Sequence, residues 1–192
     1  MMKKIVWISI VLLLLPLLFA GCGLKSHYYV LSGPSEIPVQ QELRGVSIGV
    51  EQVEVPEYLF KREIAVANSN SEISFLPDAV WAEDLNTGLT RRLIAYLQKR
   101  FDQPHVYSFP WELEKQPDLK AKVQISRFAA QGERVLLDAS WEVKDLKRSK
   151  TVAGLFHKEV PTDGTVRSIV EAMDRAFGYL EEEIAKGVLQ LR

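Results

Sequence analysis

Cysteine is almost missing from this sequence: among 192 residues there is one, Cys22. A single thiol cannot close an internal disulfide or build a multi-cysteine zinc site. Histidine is nearly as scarce. His27, His105 and His157 stand far apart with no His-x-x-x-His spacing, so they read as surface or hydrogen-bonded residues, and no metal is expected. An excess of one charge is also lacking, since 24 Lys and Arg face 25 Asp and Glu. That balance excludes the basic footprint by which nucleic-acid binders meet phosphate. Gly-x-x-x-x-Gly-Lys, Gly-x-Gly-x-x-Gly and Gly-x-Ser-x-Gly do not occur, which removes the usual phosphate loop, dinucleotide fingerprint and nucleophile elbow. With 47% apolar residues in 21.8 kDa, the chain has enough to bury one core of ordinary domain size.

What is present is unevenly placed. After Met-Met-Lys-Lys, residues 5–20 are apolar apart from Ser9 and the break at Pro16, and Gly21-Cys22-Gly23 follows. Sixteen residues make roughly 24 Å of helix, short of the ~30 Å hydrocarbon core. A basic start, a short apolar segment and small residues before a cut site compose a secretory signal peptide. The lone cysteine stands directly after Phe19-Ala20-Gly21, which resembles the bacterial lipobox. A thiol is needed there as the nucleophile that takes the diacylglyceryl group as a thioether. Residues 1–21 are therefore expected to be removed, with Cys22 as the lipid-attachment site and an acyl chain such as palmitate added. Two or three acyl chains hold a protein on a bilayer where one does not. Gly23 in place of Asp favours the outer membrane, at its periplasmic face, if the source is Gram-negative.

Residues 22–45 read as a lipidated tether with a first short β-prone run at 28–31 and a Gly/Pro loop over 32–45. A single domain is expected over 46–192. Val46, Ile48, Val50, Val53 and Val55 mark a strand ended by Pro56. Residues 64–67 and 72–76 flank Asn68-Ser69-Asn70-Ser71 as a hairpin. A helix is expected over about 79–101, where Leu85, Leu89, Leu93, Leu97 and Phe101 recur every four residues, with Asp102 and Pro104 as the stop. Further strands fall at 106–109, at 119–126, at 134–143 after a turn at 131–133, and at 151–159. A last helix covers about 165–190, with apolar residues from Val166 to Val188 at steps of three and four. The fold class is therefore α/β (α+β): a mostly antiparallel sheet with two amphipathic helices packed on one face.

Two segments are too particular for scaffold alone. Val53-Glu54-Val55-Pro56-Glu57-Tyr58-Leu59 leaves a strand through a proline, which removes a backbone donor. Trp81-Ala82-Glu83-Asp84-Leu85 enters the first helix with a large aromatic. Either Tyr58 and Trp81 plug the core where loop meets helix, or they form an aromatic docking patch of the kind that anchors interfaces. Glu57, Glu63, Glu83 and Asp84 could pair as acid and base only if the fold brought two together, and nothing in the sequence does so.

Tyr28-Tyr29-Val30-Leu31, Ile48-Gly49-Val50, the segment 53–59, Trp81-Ala82-Glu83-Asp84-Leu85 and Leu137-Asp138-Ala139-Ser140-Trp141 occur in the order seen in the PqiC-like family. The chain resembles those auxiliary lipoproteins of ABC-type transport systems over about residues 22–190. It departs from their pattern with Lys61-Arg62 after Tyr-Leu, Val80 before Trp81 and Asp84 after Glu83. The resemblance implies a non-enzymatic lipoprotein with no cofactor beyond the lipid on Cys22. It would dock a mammalian-cell-entry (MCE) protein, and through it an ABC permease and ATPase, in lipid transport between membranes. Pro56, Glu57, Tyr58, Leu59, Trp81 and Glu83 are the candidate docking residues, and self-association into a ring would match a symmetric partner. The alternative from another class is a structural envelope lipoprotein that tethers or assembles a different envelope complex.

Overall fold

The computed structural model describes residues 26–32, 43, 45–111 and 116–192. The expected signal peptide, Cys22 and most of the loop expected over 32–45 lie outside the described residues. The framework is a hairpin of two long strands, β6 (Leu119–Gln131) and β7 (Arg134–Asp145), paired antiparallel along their whole length. Leu119, Ala121, Val123 and Ile125 are buried while Lys122, Gln124 and Ser126 are not, the alternation of a sheet covered on one side. Gly132, with φ +58, turns the chain between them, a left-handed conformation that glycine adopts without steric cost. An irregularity between Ile125 and Arg127 shifts the register. It lets β6 run five residues past the expected strand end.

On the far side of β7 lies β8 (Lys150–Pro161), again antiparallel. The other edge of β6 is shared. Its first residues pair in parallel with β2 (Ile48–Val50), which in turn carries β5 (Val106–Ser108). Near its end, Ala130 pairs with β3 (Glu63–Ser69), followed by β4 (Glu72–Trp81) and the edge strand β1 (His27–Tyr29). The three longest ladders are antiparallel and the short ones parallel, so the sheet is mixed but mostly antiparallel.

Two expected boundaries move. Residues 79–81 are strand, and the first helix, α1, spans Leu85–Phe101. The reason is the alternation of buried Ala79 and Trp81 about half-buried Val80, together with a 2.7 Å bond from the Trp81 N–H to the Arg62 carbonyl. The strand expected over 46–55 is regular only at 48–50. The Val53 N–H turns away to the Thr90 hydroxyl of α1, at 2.9 Å. The β-prone run expected at 28–31 is β1, at His27–Tyr29, paired with β4, and Leu31 and Leu43 are buried in the core.

The second helix, α2 (Val166–Gln190), begins at Thr165, whose hydroxyl accepts from the Ser168 N–H, a side-chain cap. It lies across β7, β8 and β6. Trp141 of β7 fits beneath it because residue 187 is glycine: a Cβ there would stand 2.4 Å from the indole.

Between the helices lies a buried ion pair. Arg92 of α1 donates to both Glu181 oxygens, Nε to Oε1 at 3.1 Å and Nη2 to Oε2 at 3.0 Å, and also to Asp174. Arg92 and Glu181 are almost wholly buried. Burial pushes the Glu181 carboxyl up to about 7, against the pull of Arg92. The folded state thus holds a proton there more tightly than the unfolded chain. This group's contribution to stability declines as pH rises from 4.5 toward 7 and is flat above. Desolvation that exceeds the Coulombic gain marks a pair whose loss of one partner is worse than loss of both. Arg92→Ala or Glu181→Leu alone is expected to cost about 3–5 kcal/mol. The Arg92→Met, Glu181→Leu double variant should cost less than either. Urea denaturation of the four proteins at pH 7.5 measures it.

Candidate functional site

Both helices cover one face of the sheet, and the outer face of β6, β7 and β8 stays open. On it lies a groove of about 760 Å3 lined by residues that include Glu54, Pro56, Gln124, Ser140, Leu155 and His157. A second hollow of about 460 Å3, bordered by Lys122, Glu142 and Ala153, adjoins it. Leu155 lines both. It is 93% exposed in the middle of an edge strand, flanked on its face by Ala153 and His157.

Charged groups rim the groove. Asp138 of β7 accepts from Arg127 Nε at 2.6 Å and meets His157 Nδ1. Across β8, Glu159 pairs with Arg134 at 2.6 Å and lies 3.6 Å from His157 Nε2. Partial burial raises the Asp138 carboxyl, but bonds from His157 and Arg127 outweigh it and hold the group below its ordinary value. Arg134 does the same for Glu159. These pairs order side chains on a face with no hydrophobic cover. Among the described residues no group of His, Cys, Asp and Glu could hold a metal ion.

The six candidate docking residues do not form one surface. Pro56 lines the groove, and Glu57 beside it is exposed. Tyr58 is half-buried, with its hydroxyl accepting from the Phe128 N–H at 3.2 Å, and burial pushes its phenol up. Leu59 and Trp81 correct the expectation of an exposed patch: both are buried in the core. The turn at 57–60 folds Leu59 inward, and the pleat of β4 points Trp81 the same way as buried Ala79. Glu83 pairs with Arg91 at the start of α1 and does not line the groove. Of the two readings of Trp81, the core plug is the one the fold adopts.

Sequence reasoning missed Leu155. The clue was phase: Val152, Phe156 and Val160 mark the inner face of β8, and Leu155 falls on the other alternation, among Thr151, Ala153, His157 and Glu159. Asp138→Asn tests the rim. A carboxylate held below its ordinary value stabilises the fold above about pH 4 and ceases to as pH falls through its folded value. The variant should lose about 1 kcal/mol at pH 7, with the difference from the parent shrinking below pH 4 in denaturant melts.

The fold has solved counterparts. A crystal structure of a protein without assigned function superposes with a TM-score of 0.69 at 20% identity, covering 85% of this chain and 99% of that one. Protein XCC0632 from Xanthomonas campestris gives 0.69 at 12% identity, covering 82% and 92%. The PelC dodecamer from Paraburkholderia phytofirmans is more distant, at 0.44 and 12% identity over 78% and 92%. No curated protein sequence matches the chain. A family model does, over residues 29–185, which spans every strand and helix described above except the first two residues of β1 and the end of α2. The chain belongs to the family of ABC-type transport auxiliary lipoprotein components.

Proposed function

We propose that this protein is a non-enzymatic docking component of an MCE-associated system that moves lipid between membranes, held by a lipid on Cys22 at the periplasmic face of the outer membrane. The observation that carries the docking role is the open outer face: a groove of about 760 Å3 whose lining includes Leu155, 93% exposed. An exposed leucine on an ordered polar face suits a partner that covers it, because burying it gains about 1.5–3 kcal/mol and the surrounding pairs fix orientation. Pro56 and Glu57 at the groove's end belong to the same surface. Of the segment singled out in the sequence, Glu54, Val55 and Pro56 line the groove, while Val53 and Leu59 are buried in the core. Transport energy comes from a separate ATPase, and ring formation would present one such face per copy.

Two measurements test this. Leu155→Asp should abolish co-purification with a co-expressed MCE-domain protein in mild detergent while leaving the melting temperature unchanged. Retention at the parent level would refute the docking face, and failure of the parent to co-purify would favour the tethering alternative. Cys22→Ala should move the protein from the outer-membrane fraction to the soluble envelope fraction.

A further inference from the structure

Six large apolar side chains are exposed among the described residues. Leu155 belongs to the outer face, the Tyr179 ring lies under the Lys158 ammonium at 4.1 Å, and Phe109 meets Trp111 edge to face. Of the other three, Tyr28 and Val30 stand on and just after the opposite edge strand β1, and Phe60 ends the turn that leads into β3. Tyr28 is 66% exposed, Val30 49% and Phe60 58%. Tyr28 pairs with Val80, which pairs with Glu63. The Ala82 N–H donates to the Tyr29 carbonyl at 2.8 Å. The Arg62 guanidinium donates to the carbonyls of Trp81 and Ala82 at 3.1 and 3.0 Å, and Phe60 stands two residues before it. The free edge of β1 and the turn at 57–60 therefore bracket one end of β4.

The chain upstream says what faces this edge. From Cys22 to His27 there are five residue steps, at most about 18 Å of extended backbone. A domain of this size is roughly 40 Å across. A lipid on Cys22 thus holds β1 within less than half a domain's breadth of the bilayer, whatever the orientation of the rest. Tyrosine and phenylalanine, with a ring body and in Tyr a polar tip, suit the headgroup boundary. The Lys61 ammonium lies 4.3 Å over the Phe75 ring and the Arg62 guanidinium is held by the Trp81 and Ala82 carbonyls. Exposed Asp78 and half-buried Glu63 offset those cations, so the apolar side chains drive the contact.

We propose that the β1 edge, with Tyr28, Val30 and Phe60, is a membrane-contacting surface seated in the headgroup region of the bilayer that holds the Cys22 lipid. The proposal rests on acylation of Cys22. It orients the domain: β8 and Leu155 lie on the side of the sheet away from the membrane, where a partner can reach them.

Acylation consumes the only native thiol, which makes the test direct. The full chain, processed in a bacterial envelope and purified in detergent, is reconstituted into phosphatidylethanolamine–phosphatidylglycerol vesicles. Tyr28→Cys, Phe60→Cys or Leu155→Cys supplies a single free thiol for an environment-sensitive fluorophore, and brominated acyl chains serve as quencher. Severalfold stronger quenching and a blue-shifted emission at positions 28 and 60 than at 155 is the expected result. Equally weak quenching at all three positions, with Cys22 blocked, overturns the membrane surface and leaves the anchor standing. If the protein without an introduced cysteine takes up a thiol reagent, Cys22 is free, and the anchor and this surface fall together.

Discussion

Everything in this fold hangs on the backbone of one strand. On one side β6 gives its whole ladder to β7. On the other it is shared out in sequence: β2 at Leu119–Ala121, the bridge at Glu54, then β3 at Ala130. Buried backbone groups must find partners, and no single segment supplies them along that edge. The chain between Ser47 and Val66 is threaded past β6 to do so, with Glu51 and Glu54 donating to Ala121 and Val123. The sheet consequently splits into two wings beyond β6, one ending in β5 and the other in β1. Pro56 and the turn at 57–60 fill the gap between the wings.

The helices then decide which face is inside. α2 covers the β6–β7–β8 half, where Trp141 occupies the space left by Gly187 and Gly154, and α1 closes the side of β2 and β5. Arg92 reaches across from α1 to Glu181 and Asp174, and its guanidinium lies 5.3 Å over the Phe177 ring. Gly178 leaves it room, since a Cβ there would stand 3.3 Å from Nη2. Two apolar helix stripes could slide along a sheet at little cost. A guanidinium held by four acceptors, both Glu181 oxygens and the Asp174 carboxylate and carbonyl, has one geometry, and fixes their mutual register. Because both helices are used on one side, the outer face has only ion pairs and hydrogen bonds to order it.

Much of this was legible in the sequence because period is a local property. The alternations at 119–125 and 135–143, the four-residue steps of α1 and the steps of three and four in α2 are where the structure has them. The helix start was misread because Ala79, Val80 and Trp81 fit a helical stripe and a pleat equally well. A non-local bond to Arg62 settled it. The interruption at Val53 depends on Thr90, thirty-seven residues away. The same distinction runs through the site. That 53–59 and Trp81 were unusual could be read from residue types. That Leu59 and Trp81 point inward while Pro56 borders a groove is a matter of turn geometry. The Arg92–Glu181 pair, eighty-nine residues apart, has no sequence signature.

The placement of β1 also has a mechanical side. It is an edge strand held by three residue pairs to β4, and among the described residues it is the first paired segment. In the proposed arrangement, a load carried between the bilayer and a docked partner would enter the described part of the fold through β1. It meets those three pairs before it reaches Leu31 in the core or the long β6–β7–β8 ladders. If they give way, three residues are released, about 10 Å of chain, with the main hairpin still in register. On the proposed orientation β1 is then the compliant link, and the β6–β7–β8 half of the sheet the stiff one.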